Sequence, residues 1–502
     1  MIPVQIVAVL VSAAMLVFAF PRFYLYPLAF FALIPILWVT RRSACSRRHA
    51  FFLGWLTGFL FHLGTLWWLA RLYATEIEYP ILRIPGLVAL AGFEGLFYAV
   101  AIWGWNALCI SSWWVWPGVW VLTEFARSVT SLAFPWTILA NALAAQPFLL
   151  QPAAYGGIWL LDFGLAFISA AVVRLLHAGR IMIIPSIMAI LFLLAWGFIG
   201  IFGMSRDTGT ERVAIIQPNA LPEFKWQPGG RGRVYADLKQ ITLQAVESLS
   251  SSASLVVWPE TALPTVIKAG GGVEFWISHL VNQTGVPLIT GALGMGSEHG
   301  ETLYTNAAYL VLPDSGITSR YDKIHLVPFS EKMPFSRQFP FLKDMNLGQG
   351  DYAHGDSVVV FNIRDMRASV LICFEAILPA LVRRHVRAGS EFLINITNDS
   401  WFGNTGAPEQ HAAMAVIRAV EHRRWLIRAA NSGVSLIADP WGRVTRRSGL
   451  FRQEFITGEY APRSGMTFYT RYGDWIIWIS MILIILGFTL RNIQSCADRG
   501  SF

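Results

Sequence analysis

The chain has 502 residues, 55% of them hydrophobic and only 14% charged, with 21 tryptophans and a formal net charge of +8. That balance excludes an ordinary soluble protein and places the chain among membrane proteins. The positive charge belongs to topology and not to a nucleic-acid partner, because the arginines cluster in short loops beside apolar runs and no basic helix stands out.

A membrane span needs about 20 mostly apolar residues. In chain order the candidates are 3–20, 24–40, 51–70, 86–110, 113–126, 153–176, 181–204 and 474–490, about eight in all. The stretch 127–152 carries Pro135 and Pro147 and reads as an interfacial re-entrant loop. The first run has no basic leader or small-residue cleavage site, so it reads as a helix and not as a signal peptide. The basic loop RRSACSRRH (41–49) is expected on the cytoplasmic side. Counting spans from it puts the amino terminus and the tail RNIQSCADRG inside and the long insert outside. The expected division is a membrane domain at 1–204 (about seven helices), an extracytoplasmic domain at 205–473, and a closing helix and tail at 474–502.

The insert alternates apolar runs with amphipathic patterns. Strands are expected at 212–219, 254–260, 286–293, 307–312, 357–363, 369–373, 392–397 and 434–438, and helices at 233–250, 273–285, 376–388 and 408–430. Such alternation argues for an α/β fold, with a two-sheet sandwich covered by helices as one arrangement. GALGMGSEHG (291–300) is glycine-rich but has no phosphate-loop lysine and reads as a turn. Polar residues close several strands: Glu260 after LVVWP, Cys373 after SVLI, Asn398 and Asp399 after FLINIT. Catalytic groups often sit where strands end in loops.

There are four cysteines, at 45, 109, 373 and 496, with no CxxC and no metal-ligand spacing. Taken alone, Cys373 is a small buried hydrophobe. The topology, however, leaves it as the only cysteine on the oxidising side, so a free thiol is expected there. Taken alone, Glu260 is a loop carboxylate, Lys323 a solvated charge, and Trp226 an exposed aromatic or interface anchor. His325, His354 and His411 lack a metal-binding pattern and read as structural or surface residues, and the absence of GxSxG counts against a serine hydrolase. Four ionisable residues fall in or near the spans: His62, Glu94, Glu124 and Asp162. Intramembrane charges raise the possibility of a transporter's proton relay. For Glu124, Arg127 three residues on offers a local ion pair.

Read together, WPET (258–261), YDKIHLVPFSE (321–331), ICFE (372–375) and NDSWFG (398–403) resemble the Glu-Lys-Cys motifs of the nitrilase superfamily. With LTEFARS (122–128), FPW (134–136) and the helix after YGDW, the resemblance extends to its membrane-embedded branch, the apolipoprotein N-acyltransferase family. It implies a polytopic helical membrane domain joined to an αββα sandwich. Cys373 is the implied nucleophile, Glu260 the base and Lys323 the cation beside the oxyanion, with the Phe374 N–H as a second donor. Glu331 and Glu375 are implied supporting acids, and Trp226 and Trp401 substrate-binding aromatics. The family often has tyrosine after the nucleophile; Phe374 departs from that and removes the hydroxyl.

The chemistry of the residues agrees with these roles. Acyl transfer needs a nucleophile, a base and positive stabilisation of a tetrahedral oxyanion, and no metal or organic cofactor. The resemblance implies a phospholipid acyl donor and diacylglyceryl-modified apolipoproteins as acceptors, in the bacterial cytoplasmic (inner) membrane with the catalytic domain on the periplasmic side. The competing readings are a membrane-anchored amidase acting on a small amide, and a transporter.

Overall fold

Proline placement decides where the apolar runs of the amino-terminal part become helices. The computed structural model describes residues 2–41, 45–72, 80–108, 112–129, 132–178, 183–205, 207–221, 225, 227, 229–249, 253–298, 300–336, 338–339, 342 and 350–499. The chain divides into two units: Met1–Ala70, Ile81–Met204 and Tyr472–Phe502 form the first, and Arg71–Pro80 with Ser205–Arg471 the second.

The first unit is helical, with its main helices at Ile2–Ala19, Arg47–Thr65, Arg83–Leu108, Trp116–Val129, Ala153–Ala178, Ile183–Phe202 and Trp475–Arg499. Among the described residues, three are long and apolar enough to cross a membrane: Pro80–Leu108, Ala153–Leu176 and Trp475–Ile493. The apolar run at 24–40 is not one continuous α-helix. It forms a 3-10 turn, Tyr26–Phe30, and a short helix, Ile34–Thr40, each opening on a proline, because proline fits the first turn of a helix but not its interior. The stretch after Val129 is likewise a series of short turns, Pro135–Thr137 and Leu139–Leu143, followed by the short helix Pro147–Leu150.

Small residues let two of these helices touch. A Cβ on Gly58 would lie 2.6 Å from Cβ of Tyr98, and one on Gly54 2.8 Å from Cβ of Ile102. Close approach through glycine is a common way for apolar helices to pack when no hydrophobic force drives them together. Two of the buried acids share one arginine. Arg127 Nη2 lies 2.6 Å from Glu124 and Nη1 3.3 Å from Glu94, all of them fully buried. Arg127 also donates to Thr137 Oγ1 and the Phe134 carbonyl, while Asp162 accepts from the Ala140 N–H. The Glu124–Arg127 pair is the one the spacing suggests, and the cluster ties the proline-rich turns to the helices.

The second unit holds β1 (Glu211–Gln217), β2 (Ala253–Val257), β3 (Leu263–Val266), β4 (Leu288–Glu298), β5 (Glu301–Leu312), β6 (Gly316–Asp322), β7 (Phe361–Ile363), β8 (Met366–Ile372), β9 (Phe392–Thr397), β10 (Leu426–Ala430), β11 (Leu436–Ala438), β12 (Val444–Arg447) and β13 (Glu454–Tyr460). One sheet runs β13-β1-β2-β4-β5-β6, with β3 also on β4; the other runs β12-β11-β10-β9-β8-β7. Val213, Ile215, Leu255 and Val257 of the first sheet share a buried core with Val370, Ile372, Ile394 and Ile396 of the second. The opposite face of the first sheet is covered by the helices Gly230–Ser248 and Gly272–Thr284, and that of the second by Pro379–Arg387 and Ala407–His422. The result is the αββα sandwich that the sequence suggests.

Two expectations need correction. The helix expected over 408–430 stops at His422, where Arg423 takes a left-handed φ of 52° as its cap. Leu426–Ala430 then pairs parallel to β9 and antiparallel to β11, so sheet pairing outweighs a helical pattern in the sequence. The glycine-rich 291–300 is not a turn over most of its length: residues to 298 lie in β4 and pair antiparallel with β5. Its glycines serve close approach, since a Cβ on Gly291 would lie 2.6–2.7 Å from the backbone of Pro259, Glu260 and Thr261.

Candidate active site

Four strand ends converge. β2 runs into Trp258-Pro259-Glu260, β6 into Lys323, β8 into Cys373, and β9 into Asn398-Asp399. Strands of one register end at one level, so polar residues placed just after them share a rim of the sandwich. Glu260 and Lys323 are buried, at 4% and 1% exposure; Cys373 keeps partial exposure while packing against the sandwich core.

Lys323 is held between two carboxylates. Its Nζ lies 2.8 Å from Glu331 and 3.7 Å from Glu260 Oε1. Asn306, from β5, donates to Glu260 Oε1 at 2.6 Å and to Glu331 Oε1 at 3.1 Å. The Asn398 N–H donates to Glu260 Oε2 at 2.7 Å, and the Val327 N–H to Glu331 Oε2 at 2.9 Å. The lysine backbone is fixed too, its N–H bonded to the Asn306 carbonyl and its carbonyl to the Gly355 N–H.

Cys373 adopts φ 53°, a left-handed conformation that costs a non-glycine residue on the order of 1–3 kcal/mol and persists only where the surroundings enforce it. Glu375 does much of that work. Its carboxylate accepts from the N–H groups of Ile372, Ile324 and His325 and from the Tyr321 hydroxyl, at 2.8, 2.8, 3.1 and 2.9 Å. It thereby ties the Cys373 turn to the Lys323 loop.

The electrostatics follow from burial. Burial, then the negative charge of Glu260, pushes the Cys373 thiol pKa up; Lys323 and a bond from Thr397 work against that. Burial and Glu331 raise the Glu260 pKa above the usual carboxylate range, although Lys323 opposes them. Burial works to lower the Lys323 pKa, but Glu331 and Glu260 outweigh it and raise it, which favours the charged ammonium. The resting site is thus a protonated thiol beside a carboxylate with enhanced basicity and a fixed cation, the combination acyl transfer needs.

The structure therefore brings Glu260, Lys323, Glu331, Cys373, Phe374 and Glu375 to one rim. Phe374 is buried and stacks on His325, ring centroids 5.8 Å apart. Trp401 sits half-buried in the 3-10 turn Asp399–Phe402. Trp226 lies outside the described residues. Asn306 is a site residue that sequence reasoning missed: it lies inside a strand, with no motif around it. For His411 the structural alternative holds. It is fully buried and reaches the Cys373 carbonyl with Nε2 at 3.2 Å. Asn395 and Thr397 alternate with Ile394 and Ile396 along β9 and lead into Asn398 and Asp399, a polar pattern that could have marked that wall of the site.

Comparison with known proteins covers both units. Residues 212–464 match the family model for carbon-nitrogen hydrolases, and residues 12–171 the one for the apolipoprotein N-acyltransferase N-terminal domain. The apolipoprotein N-acyltransferase of Geobacter metallireducens is 32% identical over 506 aligned positions, covering 96% of this chain and 95% of that one. That of Pseudomonas putida is 30% identical, covering 96% and 95%, and that of Chlorobaculum tepidum 29% identical, covering 93% and 92%.

Proposed function

The chain belongs to the apolipoprotein N-acyltransferase family, and from that premise we propose the residues and steps by which it acts. The activity is transfer of a fatty acyl chain from a phospholipid to the amino-terminal amine of diacylglyceryl-cysteine apolipoproteins, the final step of lipoprotein maturation. In the proposed mechanism Glu260 accepts the Cys373 proton as the sulfur attacks the donor ester carbonyl. The tetrahedral oxyanion is met by the Lys323 ammonium and the Phe374 N–H. Collapse expels the lysophospholipid alkoxide, which takes the proton back from Glu260, and leaves a thioester on Cys373. The acceptor amine then attacks the thioester and gives its proton to Glu260, and the sulfur leaves and is reprotonated. Glu331 holds Lys323 between these two steps, and Glu375 holds the nucleophile turn.

The observation that carries this reading is the lysine buried between Glu260 and Glu331 at the strand ends that also present Cys373. Trp226 and Trp401 are proposed to pack on substrate. For the membrane part we propose about eight spans in the bacterial cytoplasmic membrane, with 205–473 on the periplasmic side, where the lipid donor and lipid-bearing acceptor are both within reach. A transporter reading has no use for a nucleophile poised in this way. An amidase acting on a small amide leaves the apolipoprotein N-acyltransferase N-terminal domain, with its buried ion cluster, unexplained.

The test is mass spectrometry of the purified protein after incubation with phospholipid alone. A fatty acyl adduct on Cys373, released by hydroxylamine, is expected, and Cys373→Ser is expected to show neither adduct nor transfer while still inserting in the membrane. An alkoxide is far harder to form than a thiolate at neutral pH. Near-normal transfer by the serine variant would remove Cys373 from the mechanism.

A further inference from the structure

Beside Cys373 runs a second chain of buried polar contacts that the two-step chemistry does not use. Arg428 Nη2 meets Asp399 Oδ2 at 2.8 Å. Asp399 Oδ1 lies 3.0 Å from His411 Nδ1 and accepts from the Thr397 hydroxyl at 2.9 Å. His411 Nε2 lies 3.2 Å from the Cys373 carbonyl oxygen, which Asn395 Nδ2 also approaches at 3.4 Å. Arg428, Asp399, His411 and Asn395 are all within 1% of full burial.

A carbonyl oxygen only accepts hydrogen bonds, so at this contact His411 is the donor. The carbonyl of Cys373 and the N–H of Phe374 belong to one peptide plane. Drawing electron density to the carbonyl oxygen polarises that N–H, and hydrogen bonds linked in a chain strengthen one another by about 10–30% each. The contact also resists rotation of the peptide, which the left-handed φ of Cys373 leaves under strain.

We propose that His411, held by Asp399 and Arg428, is a positioning residue that orients and polarises the Cys373–Phe374 peptide, so that the Phe374 N–H becomes a stronger donor to the oxyanion. This rests on the acyl-enzyme reading of Cys373. The relay is built deliberately into the fold. Asp399 fits only because position 433 is glycine, where any Cβ would overlap the carboxylate, and Arg428 is anchored to the Val434 carbonyl and to Asn395. Both ring nitrogens face acceptors, and donation to the Cys373 carbonyl needs the proton on Nε2. Burial and Arg428 work against a second proton and Asp399 works for it, with the balance below the usual histidine pKa.

The test uses the full-length enzyme in detergent, loaded from a phospholipid whose acyl carbonyl is labelled with carbon-13, and reads both the loading rate and the infrared stretch of the thioester carbonyl. His411→Phe keeps a ring and removes the N–H donor to the Cys373 carbonyl. It is expected to load on the order of tenfold more slowly, short of the ~100- to 1,000-fold cost of deleting an oxyanion donor outright. Its carbonyl band is expected at higher wavenumber, because a weaker donor polarises the carbonyl less. His411→Gln, with one amide donor for two acceptors, is expected between the two. Slower loading with an unmoved band would make His411 a packing residue, and an unchanged rate would likewise overturn the proposal. If the phenylalanine variant does not fold, the glutamine variant decides by the same band. A parent enzyme that forms no thioester would instead overturn the acyl-enzyme reading, and the relay with it, whereas a loaded parent with unmoved variant bands overturns the relay alone.

Discussion

Burial and Glu260 hold the Cys373 thiol pKa up, so in the proposed mechanism the thiol attacks only as its proton leaves to Glu260. The proposed role of Glu260 as base requires its carboxylate form, and burial and Glu331 raise its pKa above 4.5. Loading is therefore expected to be lost as pH falls through that raised value, at a pH above the ordinary glutamate range. Rapid-quench measurement of acyl-Cys373 across pH would show the limb. Glu260→Gln is expected to abolish both limb and loading. A limb at the ordinary glutamate pKa, or a glutamine variant that loads at the parent rate, would separate Glu260 from the proton transfer. Lys323 is expected to stay charged across the same range, since Glu331 and Glu260 raise its pKa.

At the scale of elements, the position of Glu260 depends on a strand that does not contain it. Gly291 of β4 lies against the Pro259–Thr261 backbone, and a Cβ there would approach to 2.6–2.7 Å. Gly291→Ala is expected to cost about 1–3 kcal/mol of stability, as overpacking does, and to slow loading by displacing the base, while Gly272→Ala, which meets nothing within 4 Å, serves as the control. Thermal melting and loading rate, measured together, check both parts. The apolar strands that end in polar residues were legible in the sequence: β1, β2, β8 and β9 are buried on both faces and read as continuous hydrophobic runs. β12 is exposed and polar, and β6 and β13 are only partly buried, so their pairing shows only in three dimensions. β10 was hidden by a helical pattern that runs through Arg423. The proposed triad was legible because a motif surrounds each member, and because Glu260 and Cys373 each close an apolar strand. Asn306 and His411 carried no such mark, because their roles come from strands and helices distant in sequence.

For the whole molecule, the testable matter is which side of the membrane each segment occupies. Cys45 is buried within the fold, so silence from a thiol reagent there says nothing about sidedness. Exposed positions do. In a Cys373→Ala background, Ser297→Cys in β4 is expected to react with a membrane-impermeant maleimide added to intact spheroplasts, and Arg48→Cys to react only after the membrane is opened; both side chains are exposed. Labelling of Arg48→Cys from outside would reverse the proposed orientation.

The pairing of β1 with β13 sets a timetable for synthesis. β1 is the first strand of its sheet to be made, and one of its edges is completed by β13 over the register Glu211↔Tyr460 to Gln217↔Glu454. Until Glu454–Tyr460 leaves the ribosome, β1 presents an open edge, and open edges recruit other strands. Folding of this sheet therefore completes only shortly before the closing helix, Trp475–Arg499, is translated. A chain stopped just before Glu454 would retain the proposed triad residues and β1's open edge. It is expected to aggregate or be degraded, which pulse-chase with limited proteolysis would detect, whereas one stopped after Tyr460 would be able to close its sheet. Premature stop codons late in the reading frame would then divide sharply at that strand into products that accumulate and products that are cleared.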